Sequence, residues 1–438
     1  MYNELNPSVL GFLSNKLGWK DLNEIQKMTI PSILDGKDTL ILAPTASGKT
    51  EAALIPIFSE IINKQLEPVS VLYVAPLKAL INDMHNRVES WGNYFGLTAM
   101  KWHGDVGTSQ RNKFIKNLTD FLLITPESLE VILMNMSSGV KENIFKNLKY
   151  VIIDEIHYFA DSDRGVQLNS ILNRISKYST QNFIKIGLSA TVGNPEVIAE
   201  WINTENPANL VIQRSKLNFL YKIITLEDNE VPFDYMDVLK KYVDDKVLIF
   251  TKSKFQAELI NYRLKKELDS CNVFIHHAAM SKEIREENEK KFKEVNNGFM
   301  VSTSTLELGI DIGDLDVVVN FEMPNTVSSF SQRVGRCGRV TKIQKSINFV
   351  KEIEPVFALA EIMLHKEGHS EEIYISHESK DIFFHQILSS LFEISDVHVK
   401  ELYSEIQNCY AFSDISYDDC KFMLNDMRKR ELVEIIVV

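Results

Sequence analysis

Short apolar runs recur along this chain, each followed by a stretch with helical spacing. They lie at 40–42, 69–75, 97–101, 121–124, 150–153 and 184–188, and again at 246–250, 273–276 and 299–302. Runs this short without alternation read as strands buried on both faces. Strands that alternate with helices pack as a parallel sheet covered on each side. A looser polar stretch at 203–216 separates the two sets and reads as a linker. The expected fold class is therefore α/β, with two tandem parallel-sheet domains at 1–205 and 211–370. A smaller unit follows at 376–438.

The first strand runs into Ala43-Pro-Thr-Ala-Ser-Gly-Lys-Thr50, and a helix is expected over 51–63 with Leu54, Ile55, Phe58, Ile61 and Ile62 on one face. Strand, small-residue loop and helix are the context of a phosphate-binding loop. Backbone N–H groups of Thr45, Ala46, Ser47 and Gly48 would cradle phosphates at the helix N-terminus. Lys49 would neutralise the β and γ phosphates, and the Thr50 hydroxyl would hold Mg²⁺. The pattern's first glycine is Ala43 here. Upstream, Gln26 sits on an expected helix and is a candidate for reading an adenine edge, because an amide both donates and accepts.

Composition narrows the setting. At 438 residues the chain is too long for one ordinary core. No apolar run approaches the roughly 18 residues of a membrane span. The N-terminus lacks a basic, then apolar, leader, so no signal peptide is expected. Cys271, Cys337, Cys409 and Cys420 make no CxxC pair, which points away from a zinc site and toward a reducing cytoplasm. The net charge of −12 gives nucleic-acid binding no support, and half of it comes from 376–438, where twelve acids face six bases. Local motifs must carry that case.

The run at 150–153 ends in Asp154-Glu-Ile-His157. Two carboxylates at a strand end beside a phosphate loop suit triphosphate hydrolysis. Asp154 would hold Mg²⁺ and Glu155 would orient or deprotonate water. Ser189 and Thr191, after the run at 184–188, could sense the γ-phosphate through His157; a helix cap is the plainer alternative. In the second half, Gln332-Arg-Val-Gly-Arg-Cys-Gly-Arg339 places Arg333, Arg336 and Arg339 three residues apart. Arg suits phosphate because its planar fork binds two oxygens and stays charged.

Taken in order, these segments resemble a superfamily-two nucleic-acid helicase over about residues 10–350. The set is Gln26, Ala43 to Thr50, Ala75-Pro-Leu-Lys78, Thr125-Pro-Glu127, Asp154 to His157, Ser189-Ala-Thr191, Ser304 to Asp311 and Gln332 to Arg339. Within that superfamily the chain resembles the Lhr (large helicase-related) branch of DEAD/DEAH-type helicases, through Asp154-Glu-Ile-His157, Arg164-Gly-Val-Gln-Leu168 and Leu306-Glu-Leu-Gly-Ile-Asp311. The resemblance implies two RecA-like domains and a winged-helix-like third unit, its wing strand at 432–438. It implies that Gly309 and Asp311 complete the nucleotide cleft, and that Arg336 and Arg339 reach the γ-phosphate. It places Pro76, Lys78, His103, Thr125, Pro126, Thr303 and Thr305 against a tracking strand.

The function implied is an ATP- and Mg²⁺-dependent motor that moves 3′ to 5′ on single-stranded or tailed duplex nucleic acid, DNA favoured over RNA, in repair or recombination. About twenty residues separate the two second-domain motifs, too few for a long strand-separating hairpin. A remodelling clamp or RNA helicase without processive unwinding therefore stays open. Lhr chains continue past a winged helix, so a chain stopping at Val438 is expected of a fragment, or of a minimal motor that a partner completes. The acidic third unit is expected to brace the second RecA-like domain as readily as to grip DNA.

Overall fold

The computed structural model describes residues 4–44, 47–213, 218–226, 234–307, 312–338, 343–351, 354–394 and 396–436. Strands β1 (Thr39–Leu42), β2 (Val71–Val74), β3 (Ala99–Trp102), β4 (Phe121–Ile124), β5 (Tyr150–Ile153), β6 (Ile184–Ser189) and β7 (Asn209–Ile212) form one sheet in the order β3-β4-β2-β5-β6-β1-β7. Strands β8 (Asn218–Leu226), β9 (Lys246–Phe250), β10 (Val273–His276), β11 (Gly298–Ser302), β12 (Val317–Phe321) and β13 (Ile343–Lys351) form a second, in the order β10-β11-β9-β12-β13-β8. Every strand pairing is parallel. The expected tandem parallel-sheet architecture is what the chain adopts.

Both faces of the first sheet are covered. Ile41 packs with Ile25, Ile33 and Phe58 on one side, while Leu40 and Leu42 pack with Ile156 and Trp201 on the other. This two-sided burial is why the strands carry no polar alternation. The order β5-β6-β1 matters most. Leu42 pairs with Ser189 and Ile153 with Gly187, so the loops after these three strands emerge side by side at the carboxyl edge. Ligands of open α/β sheets sit at that edge.

The stretch expected as a linker is shorter than the sequence implied. β7 pairs with β1, so the first sheet reaches residue 212, past the expected boundary at 205 and over the expected start at 211. β8 pairs along its whole length with β13 in the second sheet. Both strands satisfy backbone groups that would otherwise be open edges.

The third unit holds helices Lys380–Glu393, Val399–Gln407 and Tyr417–Lys429 around Phe383, Leu402, Phe412 and Leu424. The expected wing is not formed: residues 433–436 are irregular and 437–438 lie outside the described residues. An extended run needs a strand to pair with, and none pairs with it among the described residues. The unit docks on the first domain, not the second. Val166 enters its core, and buried Arg174 donates to Glu130 at 2.6 Å, to Gln386 at 3.0 Å and to Glu393 at 2.8 Å. Tyr178 adds a 2.6 Å bond to Glu393. A buried guanidinium must be paired, and the third unit's helix Lys380–Glu393 supplies Gln386 and Glu393. Among the described residues no helix is long and apolar enough to cross a membrane.

Candidate active site

The loop after β1 ends at Gly48, whose φ of +89° opens helix Lys49–Lys64. A Cβ there would lie 2.7 Å from Asn23 Nδ2, so the position needs glycine for conformation and for space. Lys49 Nζ donates to the carbonyls of Ala43 at 2.6 Å and Pro44 at 3.2 Å, folding the ammonium over its own loop. Burial lowers its pKa, while Glu155 and Asp154 act the other way. Among the described residues Ser47 Oγ is buried without a hydrogen-bond partner. An orphaned hydroxyl beside a partly buried ammonium fits a phosphate cradle. Thr45 and Ala46 lie outside the described residues.

Gln26 is buried at the edge of this loop. It completes a capping box, its Oε1 accepting from Asn23 N at 2.9 Å, while Asn23 Nδ2 donates to Ser47 O at 2.8 Å. The sequence therefore builds Gln26 into the helix start that braces the phosphate loop. Its carbonyl is engaged; its amide nitrogen lies toward Gly48.

After β5, Asp154 Oδ2 accepts from the Tyr73 hydroxyl at 2.6 Å and Oδ1 from Glu155 N at 3.0 Å. Burial and then the adjacent Glu155 carboxylate push Asp154 up to about 6. A cation would relieve both causes. Mg²⁺ keeps several waters and takes few protein oxygens beside phosphates, so Thr50 and Asp154 are a fitting pair. Glu155 has φ +48°, the left-handed region. Outliers of this kind cluster at functional sites.

His157 Nδ1 lies 3.2 Å from Ser189 Oγ and 3.6 Å from Glu155 Oε2. Burial first, and then Lys49, push it down to about 4, so the ring is neutral at neutral pH. Its Nε2 lies 2.9 Å from Gln332 Nε2 of the second domain. An amide nitrogen only donates, so Nε2 accepts and the ring proton sits on Nδ1. Thr191, expected beside Ser189, instead accepts from Ser370 Oγ at 3.2 Å.

On the second domain, helix Val327–Val334 carries Gln332 and Arg333. Arg333 is locked internally, donating to Glu307 Oε1 at 2.6 Å and Asn320 Oδ1 at 3.2 Å. Arg336 is buried and donates to the Glu307 carbonyl at 2.6 Å. Gly309, Asp311 and Arg339 lie outside the described residues.

A groove of about 1530 Å³ runs between the two sheet domains. Pro76, Lys78, Thr125 and Thr305 line it, as do Arg164 and Lys282, neither of which the sequence reading set against a strand. Three expected strand contacts are placed elsewhere. His103 is buried, with Nε2 facing Asn82 Oδ1 at 3.2 Å. Pro126 is buried in the first turn of helix Pro126–Asn135, where a missing N–H costs nothing. Thr303 is not part of the lining; its backbone N bonds His276 O at 3.3 Å. Three of the groove's cations are paired with carboxylates: Lys78 with Asp105 at 2.7 Å, Lys282 with Asp105 at 3.6 Å, and Arg164 with Glu127 at 2.6 Å. The Lys78 hydrogen bond holds Asp105 below the usual carboxylate range.

The sequence matches the DEAD/DEAH box helicase family over residues 23–198 and the helicase conserved C-terminal domain over 230–341. It is 30% identical over 94% of this chain to the ATP-dependent helicase Lhr-Core of Sulfolobus acidocaldarius, and covers 50% of that protein. The Lhr-Core helicase of Methanocaldococcus jannaschii is likewise 30% identical over 94% of this chain, with 51% of the relative covered. The chain thus spans about half the length of the curated relatives it matches. Among solved structures, Mycobacterium smegmatis helicase Lhr bound to ssDNA and AMP-PNP superposes with a TM-score of 0.84 at 26% identity, over 96% of this chain and 57% of that one. The helicase MrfA bound to DNA shares the fold, with a TM-score of 0.81 at 22% identity over 100% of this chain and 59% of that one. The chain belongs to the DEAD/DEAH-box helicases, in their Lhr branch.

Proposed function

We propose that this chain is an ATP-hydrolysing motor that moves along single-stranded DNA, 3′ to 5′, opens duplexes, and serves DNA repair or recombination. The observation that carries the reading is the 2.9 Å contact between His157 and Gln332. It puts the second domain's motif helix two residues from the carboxylate that would handle water. Lys49 would exchange its carbonyl partners for phosphate oxygens, and Glu155 would take a proton from the attacking water. Mg²⁺, held through Thr50 and Asp154, would screen developing charge on the phosphates. Arg336 and Arg339 would add charge from the second domain, and Gly309 and Asp311 would line the same cleft. Neutral His157 would relay the state of the site to Gln332. Opening and closing of the cleft would shift the groove's hold on successive phosphates, through Pro76, Lys78, Thr125 and Thr305, largely independent of sequence. The solved M. smegmatis relative, bound to ssDNA and AMP-PNP, supports this choice of ligands.

A second reading is a nucleic-acid-dependent clamp without processive unwinding. It is favoured by the short passage from β12 at Phe321 to helix Val327–Val334, which leaves no room for a strand-separating hairpin. ATP hydrolysis measured side by side with single-stranded DNA and RNA, together with strand displacement from a tailed duplex, tests both. DNA-stimulated hydrolysis with displacement supports the motor. Stimulated hydrolysis without displacement supports the clamp, and no stimulation by either polymer defeats both.

A further inference from the structure

The chain between the second domain and the third unit does more than connect them. Helix Pro355–Glu367 stops at Gly368, which has a φ of +73°. The next residues run across the loop that follows β6 in the first domain. Gly193 N donates to Glu371 O at 3.0 Å. Asn194 donates through Nδ2 to Ile373 O at 2.8 Å and accepts at Oδ1 from Ile373 N at 2.7 Å. Ser370 Oγ donates to Thr191 Oγ1 at 3.2 Å. A Cβ on Gly193 would lie 2.7 Å from Ser370 O, so only glycine lets the two backbones approach this closely. Ile375 is buried in the first domain's core.

The same segment grips the second domain. The Glu371 carboxylate accepts from Val327 N at 2.5 Å and Ser328 N at 3.0 Å. These are first-turn N–H groups of the helix that carries Gln332, and an anion there satisfies orphan donors and complements the helix dipole. The loop held at one end begins at Ser189, the last residue of β6, which contacts His157 from one side. The helix held at the other end carries Gln332, which contacts His157 from the opposite ring nitrogen. The connections close a ring: His157, Ser189, the loop to Asn194, the segment to Glu371, the helix, Gln332, and His157 again.

We propose that residues 368–375 are a strap coupling the phosphate-sensing loop of the first domain to the motif helix of the second, with Glu371 as its positioning residue. The proposal rests on the motor reading above. Glu371 touches no substrate; it fixes the pitch at which Gln332 meets His157. A movement of the Ser189 loop on hydrolysis then reaches the helix by two routes, through His157 and through the strap.

Strand-stimulated ATP hydrolysis of Glu371→Ala tests this, with melting curves confirming the fold. The expected result is a fall in kcat of about ten- to a hundred-fold, the scale of a misplacement remote from the chemistry. KM for ATP and the affinity for strand without nucleotide should stay within about twofold, because neither contact is lost. Glu371→Gln, which keeps an acceptor, should recover part of kcat. Asn194→Ala releases the strap's other end, and the double variant should cost no more than the worse single, since both cut one device. Unchanged kcat in both singles, or losses that multiply in the double, overturns the strap. Should Glu371→Ala not fold, Glu371→Gln paired with Gly193→Ala gives the same comparison. A wild-type chain without strand-stimulated hydrolysis defeats the motor reading and the strap with it; a stimulated wild type indifferent to these variants defeats the strap alone.

Discussion

Asp154 is a carboxylate that the fold keeps protonated to a higher pH than an exposed one. Burial and Glu155 lift it to about 6, so its contribution to stability without ligand is complete below pH 4 and lost as pH rises through 6. Asp154→Asn keeps an acceptor for Tyr73 and removes that cost. Above pH 6 its melting temperature should exceed wild type by about 2–4 °C for each kcal/mol relieved, and the gap should close toward pH 4. The same variant should lose ATP turnover at every pH. Glu155→Gln should cut turnover by roughly 10²–10⁴-fold with ATP binding retained, as measured by single-turnover hydrolysis and nucleotide titration. The placing of these residues at a strand end was legible in sequence, because an unbroken apolar run leads straight into the acidic pair. His103 and Thr191 also follow strand ends, yet their contacts were not legible. One is buried against Asn82 and the other faces Ser370, partners that only the packed chain brings near.

At the level of elements, most short buried strands declared themselves through unbroken apolar runs, and the parallel sheets followed; β12 was passed over although Val317-Val-Val319 carries the same signal. β7 and β8 were hidden because their residues are only partly buried and their pairing partners lie far along the chain. The docking of the third unit was hidden for a sharper reason. It turns on Arg174, one arginine in an amphipathic helix that nothing nearby marks as buried. Arg174→Ala would leave the Glu130 carboxylate without a cation and Glu393 with only Lys141, 3.7 Å away. It should destabilise the protein by about 3–5 kcal/mol, read as a lower urea midpoint. Arg174→Met together with Glu130→Gln should recover part of that loss, since Glu393 keeps Lys141 as its partner and Glu130 no longer carries a charge.

Across the whole molecule, a net charge of −12 coexists with a groove in which Lys78, Lys282 and Arg164 already hold carboxylates. Asp105 holds Lys78 of the first domain and Lys282 of the second, in the place where strand phosphates would compete for the same ammonium groups. Asp105→Asn should tighten single-strand binding and steepen its salt dependence by about one to two charges, measured by fluorescence anisotropy across salt concentrations. Such ion pairing between domains cannot be read along a sequence, which gives composition but not which charges meet. The central claim is that catalysis is shared, with the water-handling carboxylate on one domain and its coupling partner on the other. Strand-stimulated ATP turnover of Gln332→Ala tests it most directly. A fall of about tenfold or more, with ATP still bound and both carboxylates untouched, is the predicted result. Turnover equal to wild type would contradict the account.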